Sequence, residues 1–185
     1  RAQAIPVGVI GDDEPGKILT AEISELDCST TGLIVDRTRP TSIKTRIIAH
    51  HQHVVRADRE SRQYIDDDIT EKLTDIIGRL IHTVDAVIIE DYNKGLLSPV
   101  LISNIIKLAR RSNTIVTVDP KFENFFSYKG VTVFKPNRKE AEAALGLSLT
   151  DEDDYLEVCK RIRERLDCDN VLITLGEKGM CLLEA

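Results

Sequence analysis

Short, uniformly apolar segments alternate with helix-like segments in the second half of the chain, and this pattern most constrains the fold. The apolar segments are residues 86–89, 115–118, 131–134 and 171–173. Helical patterns cover residues 98–111, 138–145 and 153–166, with Ser98 and Pro99 opening the first and Gly146 closing the second. Apolar strands separated by helices indicate a mostly parallel sheet with helices on both faces. We therefore predict an α/β fold.

The first half of the chain carries a different pattern. Residues 5–10 predict a strand and residues 15–26 a helix, with the turn and a helix N-cap at residues 11–13. Residues 33–35, 42–49 and 53–57 alternate charged and apolar side chains, as in a sheet with one exposed face. Residues 69–81 predict an amphipathic helix. The chain therefore divides into an α/β segment (1–29), a β-rich appendage (30–60) and an α/β remainder (61–185).

Composition excludes several classes of protein. The 185 residues are 42% hydrophobic and 30% charged, which is ordinary for a globular domain. A net charge of −6 argues against a general nucleic-acid-binding surface, and no apolar run approaches the length of a membrane span. Four widely spaced cysteines predict reduced thiols in a cytoplasmic protein. Because the chain opens on Arg1 without an initiator methionine, we expect a piece of a longer protein, incomplete at both ends.

Polar clusters follow the predicted strands at residues 90–95, 119–121, 136–140 and 174–179. Ligands of open parallel sheets bind at the carboxyl ends of the strands. Within one cluster, Asn137 and Glu140 lie three residues apart at a helix start, where an amide can bind a phosphate oxygen and a carboxylate can hold Mg²⁺ through water. The same spacing is also that of a capping box, so both interpretations stay open.

The other clusters are also ambiguous. Residues 174–179 fit a glycine-containing hairpin, or a loop in which Gly176 and Gly179 let the backbone approach a ligand closely. Lys94 and Lys121 fit phosphate contacts or ordinary exposed lysines.

The strand-rich segment is locally basic. Lys44 and Arg46 point to one face of a strand, which fits either an anionic substrate or protection of an exposed sheet edge. A histidine cluster lies beside it, at His50, His51 and His53. It has no acidic or cysteine ligand nearby, so we predict no metal site there.

These residues fall into a recognisable order. Matching stretches at residues 9–16, 39–49, 55–60, 90–95, 118–121, 135–140 and 174–179 span nearly the whole chain. The chain resembles the PfkB (ribokinase-like) carbohydrate kinases and, among them, the kinases of D-glycero-β-D-manno-heptose 7-phosphate. The resemblance implies a ribokinase-like fold with a small β lid, ATP and Mg²⁺ as cofactors, and a sugar phosphate as substrate.

The resemblance also implies roles for individual residues. ATP would be bound by Asn137, Glu140, Lys121, Thr174, Gly176 and Gly179, with Glu140 placing the metal. Lys44, Arg46 and Lys94 would face the substrate. Residues 30–60 would be the lid over the sugar and a homodimer contact, and residues 61–185 the nucleotide side. Asp13 and Gly16 match a turn that we interpret as structural.

The chain departs from the family pattern in two ways. Phe122 and Asn93 stand where heptose kinases usually have glycine. The N-terminal glycine motif and the C-terminal Gly-Ala-Gly-Asp motif are not in the sequence, so we expect the catalytic base beyond Ala185 and no catalytic residue within the chain. Two alternatives follow: a catalytically incomplete nucleotide-binding or dimerising fragment, or a PfkB kinase for another sugar or a nucleoside.

Overall fold

The computed structural model describes residues 2–49 and 52–185, apart from the side chains of residues 49, 52–54 and 152. The chain forms two compact units: unit 1 comprises residues 1–77 and 94–96, and unit 2 comprises residues 78–93 and 97–185. Among the helices of the described residues, none combines the length and the apolar character needed to cross a membrane.

Unit 1 begins with a parallel pair of strands joined by a helix. β1 (Val7–Gly11) pairs with β2 (Gly32–Asp36), and α1 (Glu14–Glu25) connects them. Asp13 caps α1 as predicted: its carboxylate accepts from the backbone N–H of Gly16 at 3.1 Å and from the Thr41 hydroxyl at 2.6 Å. The turn is therefore tied both to the helix and to the segment that leads into β3.

β3 (Ile43–Ala49) and β4 (Gln52–Arg59) form a separate antiparallel pair, with Ile43 opposite Arg59. A β-bulge interrupts the pairing between Ile47 and Ile48. The expected β-rich segment at residues 30–60 is therefore not one sheet, because Gly32–Asp36 pairs with β1 instead. Strand-like patterning does not specify a strand's partner, and the helical connection of α1 allows a parallel pair.

Unit 2 contains a five-stranded sheet in the order β5-β6-β7-β8-β9, in which only β9 is antiparallel. Its strands are Ala86–Glu90, Ile115–Asp119, Val133–Phe134, Asn170–Thr174 and Met180–Leu183. The remaining helices are α2 (Asp67–Leu80, which starts in unit 1), α3 (Pro99–Arg111), α4 (Arg138–Leu145) and α5 (Glu152–Leu166), with 3-10 turns at Ile81–Thr83 and Gly176–Lys178. The mostly parallel sheet is as predicted.

Local helix signals in unit 2 are confirmed. Ser98 caps α3 by accepting from the backbone N–H of Leu101 at 3.2 Å, and Pro99 is the first helical residue. Gly146 ends α4 in the left-handed region, at φ 67°. Each of these signals acts within one helical turn, which is why the sequence alone reveals it.

One face of the unit 2 sheet holds the core. Val118, Phe134 and Ile173 are at most 1% exposed, and the ring of Phe125 packs edge-on against Phe134 with centroids 4.9 Å apart. On β5, however, Ile88 is 70% exposed, so the expectation of a fully buried strand at residues 86–89 is wrong for one face. An apolar run shows that a strand can be covered on both faces, but not that it is.

Candidate functional site

Charged side chains meet at the carboxyl ends of the parallel strands in unit 2. The backbone N–H of Asp91, just past β5, donates to the carbonyl of Asp119 at the end of β6 (3.1 Å). Lys135, just past β7, pairs with the Asp119 carboxylate at 2.8 Å. The strand-end clusters are thus joined by specific contacts at the edge where an open α/β sheet binds ligands.

Asp91 fixes the chain where it leaves β5. It is 3% exposed, and its carboxylate accepts from the Tyr128 hydroxyl (2.7 Å), the Asn124 amide (3.2 Å) and the backbone N–H of Asn93 (2.8 Å). Asn93 is left-handed, at φ 51°, a conformation that asparagine tolerates better than most residues. Asparagine can therefore occupy this position, at which the resemblance leads us to expect glycine. Sequence reasoning missed Asn124 and Tyr128, because both lie in a loop without a motif.

The start of α4 is a complete capping box. The Asn137 side chain accepts from the backbone N–H of Glu140 at 2.9 Å, and the Glu140 carboxylate accepts from the backbone N–H of Asn137 at 2.9 Å. The capping interpretation is therefore confirmed. The box uses only the side-chain oxygen of Asn137 and one oxygen, Oε2, of Glu140.

The second carboxylate oxygen of Glu140 pairs with the ammonium of Lys121. This contact joins two residues that sequence reasoning proposed separately. Burial lowers the pKa of Lys121, but the hydrogen bond and charge of Glu140, helped by Asp119, outweigh it, so the pKa is raised. The ammonium also lies 5.9 Å from the centre of the Tyr92 ring. A cation is thus held at the strand ends, with Lys121 one-third exposed and Glu140 mostly buried.

The hairpin between β8 and β9 lies next to this cap. The backbone N–H of Thr174 donates to the carbonyl of Pro136 at 3.1 Å, and Asn137 forms an isolated parallel bridge with Thr174. The structure therefore brings the two predicted nucleotide-side motifs together. Gly176 and Gly179 have φ of 65° and 88°, and a Cβ at either position would meet nothing within 4 Å. The turn requires glycine for its backbone, and the space beside it is open.

In unit 1, Lys44 and Arg46 lie exposed on one face of β3, as predicted. Asp58 is opposite Lys44, and Arg56 is opposite Arg46. The Arg56 guanidinium binds the Asp58 carboxylate at 2.6 Å. That hydrogen bond is the main cause of the lowered pKa of Asp58, and the charges of Lys44 and Lys94 lower the pKa further. This face of the β3–β4 pair is predominantly cationic.

Lys94 has a partner that the sequence did not reveal. Its ammonium pairs with the carboxylate of Glu60, directly after β4, and both side chains are largely buried. The guanidinium of Arg62 lies 3.5 Å from the same oxygen of Glu60. No local signal could have identified this pair, because 34 residues separate its members.

The segment around Lys94 is fixed to residues 60–65 by its backbone. The backbone N–H of Ile65 donates to the carbonyl of Gly95 at 2.9 Å. The guanidinium of Arg39, itself 9% exposed, donates to the carbonyls of Gln63 and Lys94. A Cβ on Gly95 would lie only 1.8 Å from the Gln63 carbonyl oxygen, so the two segments approach closely because residue 95 is glycine.

The described residues hold no group of three or more histidine, cysteine or acidic side chains that could bind a metal by itself. His50 and His51 of the histidine cluster lie outside those residues, and the side chain of His53 is also outside the description.

A family model described as "pfkB family carbohydrate kinase" matches residues 2–185. The chain belongs to the pfkB family. The match covers both units and includes the α4 cap, the β8–β9 hairpin and the β3–β4 pair. Membership in this family of carbohydrate kinases agrees with the resemblance drawn from the motifs.

Curated proteins of similar sequence share one name, "Bifunctional protein HldE". The chain is 39% identical over 174 residues to "Bifunctional protein HldE" of Geobacter sulfurreducens, covering 94% of the chain and 36% of that protein. It is 35% identical over 184 residues to the protein of the same name from Helicobacter pylori strain J99, covering 100% of the chain and 40% of that protein. The chain thus spans well under half the length of these relatives.

Solved structures confirm the ribokinase-like α/β fold. A tetrameric inhibited form of phosphofructokinase-2 from Escherichia coli superposes with a TM-score of 0.76 at 14% identity, covering 100% of this chain and 60% of that one. Ribokinase from Giardia lamblia gives a TM-score of 0.74 at 16% identity, covering 97% and 55%. At such identities the likeness concerns the fold alone.

Proposed function

We propose that the protein carrying this chain transfers the γ-phosphoryl group of ATP to a hydroxyl of a phosphorylated sugar. The substrate we propose is heptose 7-phosphate, phosphorylated at its anomeric hydroxyl to heptose 1,7-bisphosphate. The heptose assignment rests on the motif resemblance described above. The observation that carries the ATP assignment is the meeting of the α4 cap, the β8–β9 hairpin and Lys121 at one edge of the sheet.

At this edge we propose that the Asn137 amide and the Lys121 ammonium bind ATP phosphate oxygens. The capping box leaves the amide nitrogen of Asn137 outside the cap, and the positive end of α4 adds to the attraction for an anion. The open space beside Gly176 and Gly179 would admit the ribose or a phosphate against the backbone, next to Thr174.

The residues present fit a magnesium ion carried by the nucleotide. Mg²⁺ in kinases is held by one or two carboxylates, water and substrate phosphates rather than by an all-protein cage. Glu140 supplies one such carboxylate, whose Oε1 pairs with the Lys121 ammonium. A phosphate of ATP can bind the same ammonium in place of Oε1, which would leave Oε1 for the ion. When bound, the ion would neutralise charge that develops on the transferred phosphoryl group. Glu140 would hold its waters while Oε2 continues to cap α4.

The sugar phosphate would be bound from unit 1. Lys44 and Arg46 present positive charge on one face of the lid, and Lys94 lies at its base beside Glu60. A phosphate group on the substrate matches this charge. We assign no residue of this chain as the base that deprotonates the attacking hydroxyl.

We also propose that the opposite face of the lid binds a second copy of the chain. Ile47 and Val55 face each other across β3 and β4 and are 50% and 48% exposed. Thr45 and Ala57 extend the same face. An exposed, uncharged face of this kind is suited to self-association.

The function is tested with the full-length protein, ATP and a panel of sugar phosphates that includes heptose 7-phosphate. Glu140→Gln is the informative variant, because glutamine at this position still completes a capping box but loses the charge that attracts Mg²⁺. We expect the Mg²⁺ concentration for half-maximal activity to rise about tenfold or more, in line with lost metal contacts. Glu164→Gln, on the exposed side of α5, is the matched control.

Three outcomes would contradict the proposal at different levels. If the wild-type protein phosphorylates no sugar phosphate, the kinase assignment is wrong. If it is active but Glu140→Gln has an unchanged Mg²⁺ profile, Glu140 is only a cap. Preference for a sugar other than heptose 7-phosphate would place the protein elsewhere in the pfkB family.

A further inference from the structure

We infer that Asn124 is a positioning residue for the sugar phosphate, because its side-chain amide closes the loop of residues 91–97, which carries Lys94. The inference rests on the proposed function, in which Lys94 faces the substrate. It concerns a residue that no sequence motif marks. It is supported by the place of the loop in the fold, by the way Asn124 holds the two loop ends, and by a contact that fixes the loop tip.

Residues 91–97 connect β5 to α3 at the carboxyl end of the sheet. The backbone N–H of Asp91 donates to the carbonyl of Asp119 at 3.1 Å, and Ser98, directly after the loop, caps α3. In α/β proteins, loops that follow parallel strands carry ligand-binding side chains on a rigid scaffold. The place of Lys94 therefore depends on how the two ends of this loop are held.

One nitrogen atom of Asn124 binds both ends of the loop. Its Nδ2 donates to the carboxylate Oδ2 of Asp91 at 3.2 Å and to the backbone carbonyl of Leu97 at 2.8 Å. A primary amide nitrogen has two N–H donors, so each end of the loop receives one of them. Asn124 and Asp91 are each 3% exposed, so water does not readily replace these bonds. The side chain thus joins the two loop ends at a single buried point.

The carboxylate of Asp91 passes this constraint to the residue before Lys94. Its Oδ1 accepts from the backbone N–H of Asn93 at 2.8 Å, which fixes the turn that leads to Lys94. The Tyr128 hydroxyl donates to Oδ2 of the same carboxylate at 2.7 Å and so supports the first end of the loop. Asn124 differs from Tyr128 because it also binds the second end.

The tip of the loop is fixed as well. The carbonyl of Gly95 accepts from the backbone N–H of Ile65 at 2.9 Å. With base and tip both held, Lys94 has few alternative positions before a substrate arrives. Preorganisation of this kind lowers the entropic cost of binding. Removal of the amide of Asn124 should therefore weaken sugar phosphate binding although Asn124 is itself buried.

The experiment uses the full-length protein and the sugar phosphate that binds best in a panel that includes heptose 7-phosphate. Asn124→Leu has no donor for either loop end, so we expect the KM and the calorimetric dissociation constant of the sugar phosphate to rise about tenfold or more. Hydrogen exchange at the Ile65 amide should become faster. The KM for ATP should change less than about threefold, because Lys121 stays paired with Glu140.

Asn124→Ser is a milder second variant, and it keeps the inference testable if Asn124→Leu does not fold. Its hydroxyl has one donor and can serve only one end of the loop, so both constants for the sugar phosphate should rise about threefold or more. An unchanged dissociation constant in a folded Asn124→Ser protein would contradict the inference.

Two further variants separate closure of the loop from general stability. Tyr128→Phe removes a donor to Asp91 but leaves both bonds of Asn124, so the constants for the sugar phosphate should change less than about threefold. Asn170→Ala is the matched control, because its amide donates to the backbone carbonyl of Thr132 at 3.0 Å from the start of β8. It should lower the free energy of unfolding and leave the KM for the sugar phosphate unchanged.

Three results would overturn the inference. Equal increases for Asn124→Leu and Tyr128→Phe would show that support of Asp91 matters and closure of the loop does not. A loss of stability in Asn124→Leu with an unchanged KM would show that the bonds are structural, as at Asn170. A wild type that binds no member of the panel in calorimetry would remove the ligand. If the wild type binds a sugar phosphate but does not phosphorylate it, the kinase assignment fails, and the dissociation constants still decide the role of Asn124.

Discussion

Replacing Gly95 with alanine tests whether the close approach of residues 95 and 63 stabilises unit 1. Gly95 has φ of +74°, and an added Cβ would lie 1.8 Å from the Gln63 carbonyl oxygen, whereas real Cβ contacts stay beyond about 3.0 Å. The two backbone segments would therefore have to separate by more than 1 Å. Neither atom in this contact belongs to a flexible side chain that could move aside.

The free-energy cost has two parts. An alanine in the left-handed region costs about 1–2 kcal/mol, partly offset by lower entropy of the unfolded chain. Separating the segments also breaks the hydrogen bond from Ile65 to Gly95, worth about 1 kcal/mol net, and the charged bond from Arg39 to Gln63, worth about 1.5–3 kcal/mol. We expect Gly95→Ala to lower the free energy of unfolding of unit 1 by about 3–5 kcal/mol.

Gly146→Ala is the matched control for this substitution. Gly146 has a similar φ of +67°, but a Cβ there would meet nothing within 4 Å. Its cost should be the conformational part alone, about 1 kcal/mol. Urea unfolding gives the two free-energy changes, and hydrogen exchange at the Ile65 amide reports directly on the bond to Gly95. Equal losses for both variants, with unchanged protection of Ile65, would show that the close approach does not stabilise the protein.

Three further predictions concern the buried thiols and the β3–β4 pair. Burial, with the nearby Cys181 thiol, raises the pKa of Cys159 to about 12, and burial raises the pKa of Cys168 to about 11. At pH 8, iodoacetamide should therefore label Cys28 far faster than either buried thiol, which mass spectrometry measures. The pKa values of both thiols lie above the unfolded value of about 8.5, so their contribution to the free energy of unfolding is complete below pH 8.5 and should fall as the pH rises toward 11. A urea midpoint that stays constant from pH 8.5 to 11 would refute this expectation. Ile47→Lys should weaken self-association of the full-length protein at least tenfold in sedimentation experiments. The control Ile88→Lys, at a 70% exposed side chain of unit 2, should leave self-association unchanged. Equal effects of the two substitutions would show that the β3–β4 pair is not part of the interface.

Short-range signals account for most of what the sequence revealed. The caps at Ser98 and Gly146 and the box of Asn137 with Glu140 each lie within one turn of helix, where side-chain and backbone chemistry act directly. The parallel sheet followed from apolar strands separated by helices. These features depend little on how distant parts of the chain meet.

Long-range contacts account for what the sequence did not reveal. Glu60 meets Lys94 across 34 residues, and Asp91 gathers Asn124 and Tyr128 from a loop more than 30 residues away. Side chains of these types are usually exposed, so their burial follows only from the path of the folded chain. The pairing of Gly32–Asp36 with β1 was missed for the same reason, since a strand pattern does not identify its neighbour.

Residues Lys94–Leu96 belong to unit 1, although the residues on either side of them in the sequence belong to unit 2. This limits where the chain can be divided or recombined. Unit 1 is not one continuous stretch, because the chain leaves it after Ile77 and revisits it at Lys94. A fragment ending at Ile77 would contain Glu60 without the lysine that neutralises it. Recombination between relatives at that boundary would combine a carboxylate from one parent with a lysine loop from the other. The β3–β4 segment with Glu60 and this loop should therefore be inherited together, and under the proposed function an exchange of sugar preference between family members would require both segments to be moved at once.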